Sequence, residues 1–332
     1  MRVLFVKLGA LGDVASATSI VPALRNAHPV VHLTWLAGSS TAALLRLVPG
    51  IDEVIEIDDA ALLRGRPTAR LRALLGLWAR LFGRRFDLVA TGYRDRRYGL
   101  LSLTARAGRR RSFWRDGLSA GRLHSDEFAR LVLPAAPVPV LAGLPRLDRA
   151  LDPALARLLP ADRKLVLLAP GGAGNLLRDD PLRRWPVAEC RRLAEALLAR
   201  GHAVALTGAA SDAACSAGFA GLPVIDLIGR TDLPNYLALL VRADLLISPD
   251  SAGPHLARLT GTPVIALFGP TDPREKIPED ARTIVLWGGA ELPCRPCYDG
   301  RDYAPCLDNR CKKSIRAESV VTIAERLLGA SG

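Results

Sequence analysis

Apolar residues occur in short continuous runs that alternate with amphipathic stretches along the first 130 residues. The runs VLFVKL, VVHLTWLAG, IDEVIEID and FDLVATG each predict a strand buried on both faces, as in a parallel sheet. Helices are predicted between them, from VASATSIVPALRNA, from TAALLRLVPG and from the arginine-rich stretch Leu62 to Phe82. Strands that alternate with helices predict an α/β domain whose parallel sheet is covered by helices.

The second half of the chain repeats this alternation. Strands are predicted from KLVLLAPGG, HAVALTG, PVIDLIG, DLLISPDS and TPVIALFGPTDP, and helices from WPVAECRRLAEALLARG, LPNYLALLVRA and GPHLARLTG. Between the halves, four prolines from Pro134 to Pro145 fit neither a helix nor a central strand. We therefore predict two domains, 1–150 and 151–332, with ligands bound in the cleft between them at the carboxyl ends of the strands.

The positive charge of the chain is concentrated in one segment. The 332 residues carry a net charge of +12, and the segment from Arg64 to Arg130 holds 17 Lys and Arg against 5 Asp and Glu, which accounts for the whole excess. Such a segment attracts phosphates, carboxylates or an anionic membrane surface; a solvated arginine-rich surface is the alternative. Few aromatic residues interleave with the arginines, so nucleic acid is not an expected partner.

The N-terminal stretch predicts neither export nor membrane insertion. MRVLFVKLGALGD is not a secretory signal, because Lys7 interrupts its apolar run. No run of about 18 apolar residues that could cross a membrane is present. We therefore expect a cytoplasmic protein.

Two motifs stand directly after the first predicted strand of each half. In Lys7-Leu8-Gly9-Ala10-Leu11-Gly12-Asp13, the glycines allow close approach of a ligand, and Asp13 lies at the start of a helix, where a carboxylate is favoured even without a further role. In the second half, the loop containing Gly171 and Gly172 precedes Arg183 and a helix, and such loops offer N–H groups to an anion.

Two further motifs follow later strands. In Ser248-Pro249-Asp250-Ser251-Ala252-Gly253-Pro254-His255, the N–H groups of Ser251, Ala252 and Gly253 could hold a diphosphate, and Asp250 could accept hydrogen bonds from sugar hydroxyls. A lone histidine such as His255 is more often a structural residue than a catalytic one. The turn Gly269-Pro270-Thr271-Asp272-Pro273 consists of ordinary turn residues.

Four of the six cysteines are clustered near the C-terminus, with the spacing C-x2-C-x8-C-x4-C over residues 294–311. In a cytoplasmic chain this pattern favours a structural zinc or iron ion on four thiolates over disulfides; four reduced thiols without a metal are the alternative. The ligands would be Cys294, Cys297, Cys306 and Cys311.

The four motifs, in this order over residues 3–273, resemble those of the heptosyltransferase family of lipopolysaccharide assembly, glycosyltransferase family 9. The resemblance implies a GT-B architecture, in which two Rossmann-like domains with parallel sheets face each other across a cleft. It also implies an inverting, metal-independent transfer from ADP-heptose, with no cofactor in catalysis and with Asp13 as general base. Arg183 departs from the lysine that is frequent at this position in the family.

The resemblance also divides the binding residues between the domains. Domain 1–150 is expected to bind the acceptor, an anionic glycan such as the lipopolysaccharide inner core at the cytoplasmic face of the inner membrane, through Lys7, Gly12, Arg94, Arg96 and Arg97. Domain 151–332, which includes the cysteine-rich segment, is expected to bind the nucleotide-sugar donor. The donor-binding residues would be Gly171, Gly172, Arg183, Asp250, Ser251, Ala252, Gly253 and His255.

Two alternatives stay open. One is an enzyme of the same fold that adds heptose to a protein, such as an autotransporter adhesin. The other is a non-catalytic α/β protein that binds anionic polymers through the basic segment. Loss of transfer with retained donor binding in an Asp13→Ala variant would separate a catalyst from a binding protein.

Overall fold

Two parallel β-sheets, each covered by helices, form the core of the chain. The structure is a computed structural model, and it describes residues 1–134, 147, 149–172, 174, 179–300 and 302–329. The chain divides into two units, Met1–Pro145 and Arg146–Gly332, whereas the sequence placed the division at 150/151. Pro137, Pro139 and Pro145, on which that division was based, lie outside the described residues.

The first unit contains a five-stranded sheet in the order β3-β2-β1-β4-β5, with every neighbouring pair parallel. Its strands are β1 (Arg2–Val6), β2 (His32–Gly38), β3 (Glu53–Ile57), β4 (Arg85–Thr91) and β5 (Arg106–Ser112). Its helices are α1 (Leu11–Ala17), α2 (Ile20–Ala27), α3 (Ser39–Leu47), α4 (Asp59–Arg64), α5 (Pro67–Leu81), α6 (Phe113–Asp116) and α7 (His124–Val132), with a 3-10 helix at Arg96–Ser102. The sheet order reverses between β1 and β4, so the loops after these two strands border the expected ligand crevice of this unit.

The second unit contains a six-stranded parallel sheet in the order β11-β10-β9-β6-β7-β8. Its strands are β6 (Leu165–Leu168), β7 (Ala203–Leu206), β8 (Ile225–Asp226), β9 (Leu245–Pro249), β10 (Val264–Phe268) and β11 (Thr283–Trp287). Its helices are α8 (Pro153–Ala156), α9 (Val187–Ala199), α10 (Leu233–Arg242), α11 (Ala252–Thr260), α12 (Pro273–Lys276), α13 (Arg310–Lys313) and α14 (Ala317–Gly329), with 3-10 helices at Pro181–Arg183 and Ala210–Phe219. Here the order reverses between β6 and β9, which places the loops after these strands side by side.

The predicted α/β class with parallel sheets is confirmed, but two predicted helices are each divided in two. The stretch from Leu62 to Phe82 is interrupted at Gly65–Pro67, because Gly65 closes α4 and the proline, which lacks an N–H, begins α5. The stretch VASATSIVPALRNA forms α1 and α2, which are separated at Thr18–Ser19. None of the described helices is both long and apolar enough to cross a membrane.

Candidate functional site

The loop after β1 is held in place by a tyrosine that follows β4. The Tyr93 hydroxyl accepts hydrogen bonds from the N–H groups of Leu8, at 2.9 Å, and Gly9, at 3.1 Å, and donates to the Gly9 carbonyl at 3.0 Å. Burial raises the pKa of Tyr93, so its hydroxyl keeps the proton that it donates. The neighbouring strand thus fixes the backbone that leads to α1 and Asp13.

Asp13 lies in the first turn of α1 and is paired with Lys7, which directly follows β1. Lys7 Nζ donates to Asp13 Oδ2 at 2.8 Å, and it lies 4.3 Å from the centroid of the Tyr93 ring. The lysine side chain is 6% exposed and the aspartate side chain 46%. A buried ammonium therefore anchors a carboxylate that solutes can reach, and such reach is the first requirement for a group that takes a proton from a bound hydroxyl.

The other predicted acceptor-binding residues lie on the same side of the first unit. Gly12 precedes Asp13 in α1 and is half-buried, whereas Arg94, Arg96 and Arg97 follow β4 and are exposed. The guanidinium of Arg97 donates to Asp95 Oδ2 twice, through Nε at 2.8 Å and through Nη2 at 2.6 Å. The acceptor-binding roles of these residues stay predictions.

In the second unit, the glycine loop after β6 contacts the loop after β9. Gly172 has a φ of +81° and its N–H donates to Asp212 Oδ1 at 3.1 Å. A Cβ on Gly171 would lie 2.2 Å from the same oxygen, and a Cβ on Gly172 would lie 3.1 Å from Ser251 Cβ. Only glycine fits both positions without rearrangement. Ala173 and Arg178, farther along this loop, lie outside the described residues.

Ser251, after β9, caps the N-terminus of α11. Its hydroxyl accepts from the N–H of Gly253 at 3.2 Å and lies 3.0 Å from Ser248 Oγ. Ala252 is the first residue of the helix, and His255 is its fourth and is half-buried. The N–H groups and the dipole of such a helix end favour an anion, as predicted for a diphosphate.

Asp250 forms the centre of a buried polar network beside this helix. Its Oδ2 accepts from Thr271 Oγ1 at 2.6 Å, and its backbone carbonyl accepts from Arg183 Nε at 2.8 Å. Burial acts to raise the pKa of the Asp250 carboxyl, but Arg183, Thr271, Lys276 and Lys312 together keep that pKa below its ordinary value. The network joins three of the motifs found in the sequence: the arginine, the strand-end aspartate and the Gly-Pro-Thr-Asp-Pro turn.

Two residues of this network have no predicted role. Tyr303 hydrogen-bonds the Arg183 guanidinium. Lys312 is fully buried, and its Nζ donates to the Leu267 carbonyl, which also accepts from the N–H of Asp250 at 3.0 Å. Burial lowers the pKa of Lys312 to about 7. No signal in the sequence distinguishes Lys312 from the solvated lysine beside it, because its burial depends on packing against Gly269.

The cysteine-rich segment is attached to the same turn. The N–H groups of Cys297 and Tyr298 donate to the Pro270 carbonyl, at 2.9 and 3.2 Å. Burial first, and then the neighbouring thiols of Cys311, Cys306 and Cys294, raise the pKa of Cys297. Within the described residues, however, no three His, Cys, Asp or Glu side chains are grouped so that they could hold one metal ion. The thiols as placed do not form the expected ligand set, and the structural metal stays a prediction.

Comparison with known proteins agrees with the family resemblance of the sequence. The family model of glycosyltransferase family 9 (heptosyltransferase) matches residues 138–307. The chain is 25% identical to lipopolysaccharide core heptosyltransferase OpsX of Haemophilus influenzae, over 82% of this chain and 80% of that protein. It is 28% identical to lipopolysaccharide heptosyltransferase 1 of Pseudomonas aeruginosa, over 96% of this chain and 92% of that one.

The fold agrees over the whole chain. The structure of ADP-heptose lipopolysaccharide heptosyltransferase II from Escherichia coli superposes with a TM-score of 0.77 at 19% identity, covering 100% of this chain and 99% of that one. The predicted GT-B class is thereby confirmed. With a family model that matches half of its residues and a fold shared over its full length, the chain belongs to glycosyltransferase family 9, the heptosyltransferases.

Proposed function

We propose that this heptosyltransferase transfers heptose from ADP-heptose, with inversion at the anomeric carbon, to a hydroxyl of the lipopolysaccharide inner core. The relatives named above are lipopolysaccharide heptosyltransferases, and the E. coli protein of the same fold is an ADP-heptose lipopolysaccharide heptosyltransferase. The observation that carries the proposal is the contact between the Gly172 loop and the Ser251 cap of α11, with Arg183 and Asp250 beside it. This combination of N–H donors and a guanidinium suits a sugar diphosphate.

In the proposed mechanism, the second unit binds the donor and stabilises its leaving group. The N–H groups at the start of α11 bind the diphosphate, the glycine loop packs against the Ser251 cap of this helix, and Arg183 adds positive charge. Negative charge grows on the β-phosphate as the bond from the anomeric carbon to the phosphate oxygen breaks, and preorganised donors stabilise that charge. These groups stabilise the charge of the leaving diphosphate, a task that a divalent cation can also perform, so we propose a transfer that needs no added metal.

Asp13 of the first unit acts as the general base. It takes the proton of the acceptor hydroxyl while the hydroxyl oxygen attacks the anomeric carbon, and ADP leaves with the electron pair of the broken bond. Lys7 holds the carboxylate in position through its 2.8 Å contact. The exposed arginines that follow β4 bind the carboxylates and phosphates of the inner core.

A donor and acceptor screen tests this proposal. Purified protein is offered ADP-heptose and a set of UDP-sugars, with a deacylated inner-core acceptor or an adhesin passenger domain, and release of nucleoside diphosphate is measured with and without EDTA. We expect EDTA-insensitive release of ADP from ADP-heptose with the core acceptor, and release slowed by at least about 10²-fold for an Asp13→Asn variant. Release from UDP-sugars alone would contradict the donor, and transfer to the adhesin alone would contradict the acceptor.

A further inference from the structure

Four large apolar side chains stand exposed in one part of the first unit. Leu71 and Leu75 on α5 are 54% and 53% exposed, and Leu100 and Leu103, in and directly after the 3-10 helix, are 48% and 57% exposed. We call these four residues the leucine patch. Burying a leucine side chain stabilises a protein, so four leucines left exposed on two neighbouring elements require an explanation.

The two elements that carry the patch pack directly against each other. Trp78 Nε1 of α5 donates to the Leu100 carbonyl at 2.7 Å, and Thr104 Oγ1 donates to the Trp78 carbonyl at 2.8 Å. Leu71 and Leu75 are one helical turn apart, and Leu75 is one turn before Trp78, so they share the flank of α5 that borders the 3-10 helix. Two other residues of α5, Leu77 and Leu81, are buried and pack in the core of the unit.

The charges that helix α5 carries all have one sign. Helix α5 contains Arg70, Arg72 and Arg80, is preceded by Arg66, and has no acidic residue between Pro67 and Leu81. Among the described residues, neither Arg66 nor Arg72 forms an ion pair. A helix that exposes leucines and arginines and contains no carboxylate has the composition of a helix that lies in the headgroup region of a membrane.

We propose that the leucine patch and the arginines of α5 form a docking surface for an anionic phospholipid bilayer. The leucines enter the boundary between headgroups and acyl chains, while the arginines extend their charged ends to lipid phosphates. A protein partner would need acidic groups to match the arginines, whereas an anionic leaflet supplies negative charge over its whole surface. The proposal depends on this surface alone and not on the donor or the base assigned above.

Vesicle binding tests the proposal directly. Wild-type protein and variants are mixed with vesicles of phosphatidylethanolamine, with or without phosphatidylglycerol, and the bound fraction is measured by sedimentation. The test variants are Leu71→Ser with Leu75→Ser, and Arg66→Gln with Arg72→Gln. Arg157→Gln with Leu158→Ser is the matched control, because Leu158 is 50% exposed in the second unit and Arg157 beside it is also exposed.

We expect binding only to phosphatidylglycerol vesicles. The double arginine variant should weaken partition by about fivefold for each of its removed charges, the double leucine variant should weaken it by at least about tenfold, and the control should bind like the wild type. Unchanged thermal melting of the variants shows that they fold. The proposal would be overturned by binding to neutral vesicles alone, or by a leucine variant that binds as well as the wild type. It would also be overturned if binding required an inner-core glycolipid in the vesicle. A wild-type dimer that the leucine substitutions abolish, with no vesicle binding by either protein, would show instead that the patch joins two copies of the chain.

Discussion

Lys7 Nζ and Asp13 Oδ2 lie 2.8 Å apart, with the ammonium buried beneath the rings of Tyr93 and Phe128 and the carboxylate half exposed. An exposed ion pair contributes little to stability, and this pair differs because its lysine side chain is buried. The contact therefore restricts the orientation of the Asp13 carboxylate in the first turn of α1. This geometry leads to separate expectations for the two residues.

Replacement of Asp13 by Asn should remove the proposed base while keeping the shape of the side chain. We expect kcat to fall by about 10² to 10⁴-fold, the usual contribution of a general base, with little change in the KM for ADP-heptose. Steady-state kinetics checks this, and calorimetric titration with ADP measures donor binding directly. Near wild-type kcat would show that another group accepts the proton.

Replacement of Lys7 by Met should act through Asp13 and not through acceptor affinity. The thioether chain fills much of the space of the buried lysine stem but cannot donate to the carboxylate, so we expect kcat to fall by about tenfold, the value of one charge-assisted hydrogen bond. The KM for the acceptor should stay within about twofold on the same reasoning. A large rise in acceptor KM at unchanged kcat would instead support the direct acceptor contact predicted from the sequence.

Arg183 makes contacts that a lysine cannot reproduce. Its Nε donates to the Asp250 carbonyl at 2.8 Å while the same guanidinium bonds the Tyr303 hydroxyl. An Arg183→Lys variant keeps the charge but loses the planar fork, so we expect the KM for ADP-heptose to rise by about tenfold. Arg184→Lys is the matched control, because Arg184 pairs with Asp179 and not with Asp250. Equal kinetic effects of the two substitutions would contradict a specific role of Arg183.

The local patterns of the sequence predicted where the loops with the candidate site residues lie, because the strands before these loops end at an identifiable glycine or polar turn. The residues Gly172 and Ser251 could thus be assigned to strand ends before their contact was known. Their adjacency depends on β6 lying beside β9, strands far apart along the chain, and only the sheet order shows it.

Residues that reach the site from far along the chain could not be found in this way. Lys312 and Tyr303 contact the Asp250 network from a polar segment without helical or strand periodicity, and their burial results from tertiary packing. Strand β5 was missed for a related reason. Its sequence, RAGRRRS, has no apolar pattern, since it lies at the edge of the sheet and, among the described strands, pairs only with β4.

The lowered pKa of Asp250 predicts a pH dependence of stability. A carboxyl whose folded pKa lies below its unfolded value, about 3.9, stabilises the fold above that pH and loses this contribution as the pH falls through the folded pKa. We expect Asp250→Asn to lower the free energy of unfolding by about 3 kcal/mol at pH 7, because Arg183 loses its buried partner. The difference between wild type and variant should narrow steadily below about pH 4. Denaturant melts across this range measure it, and a constant difference down to about pH 2 would show that the pKa of Asp250 is not lowered in the folded protein.

Two glycine substitutions should shift stability in opposite directions for opposite steric reasons. A Cβ at Gly171 would clash with the buried Asp212 carboxylate. This carboxylate already accepts hydrogen bonds from the N–H groups of Gly172 and Ala209, so Gly171→Ala must displace the glycine loop. We expect the thermal midpoint to fall by about 2 °C or more, as a cost of about 1–3 kcal/mol from overpacking implies, and donor KM to rise with it. Gly76, within exposed α5, has no atom within 4 Å of such a Cβ. Gly76→Ala should therefore raise the midpoint by up to about 4 °C through helix propensity alone, and leave donor KM unchanged. If Gly171→Ala left both the midpoint and the donor KM at wild-type values, the glycine loop would not be the rigid diphosphate support that the proposed function requires.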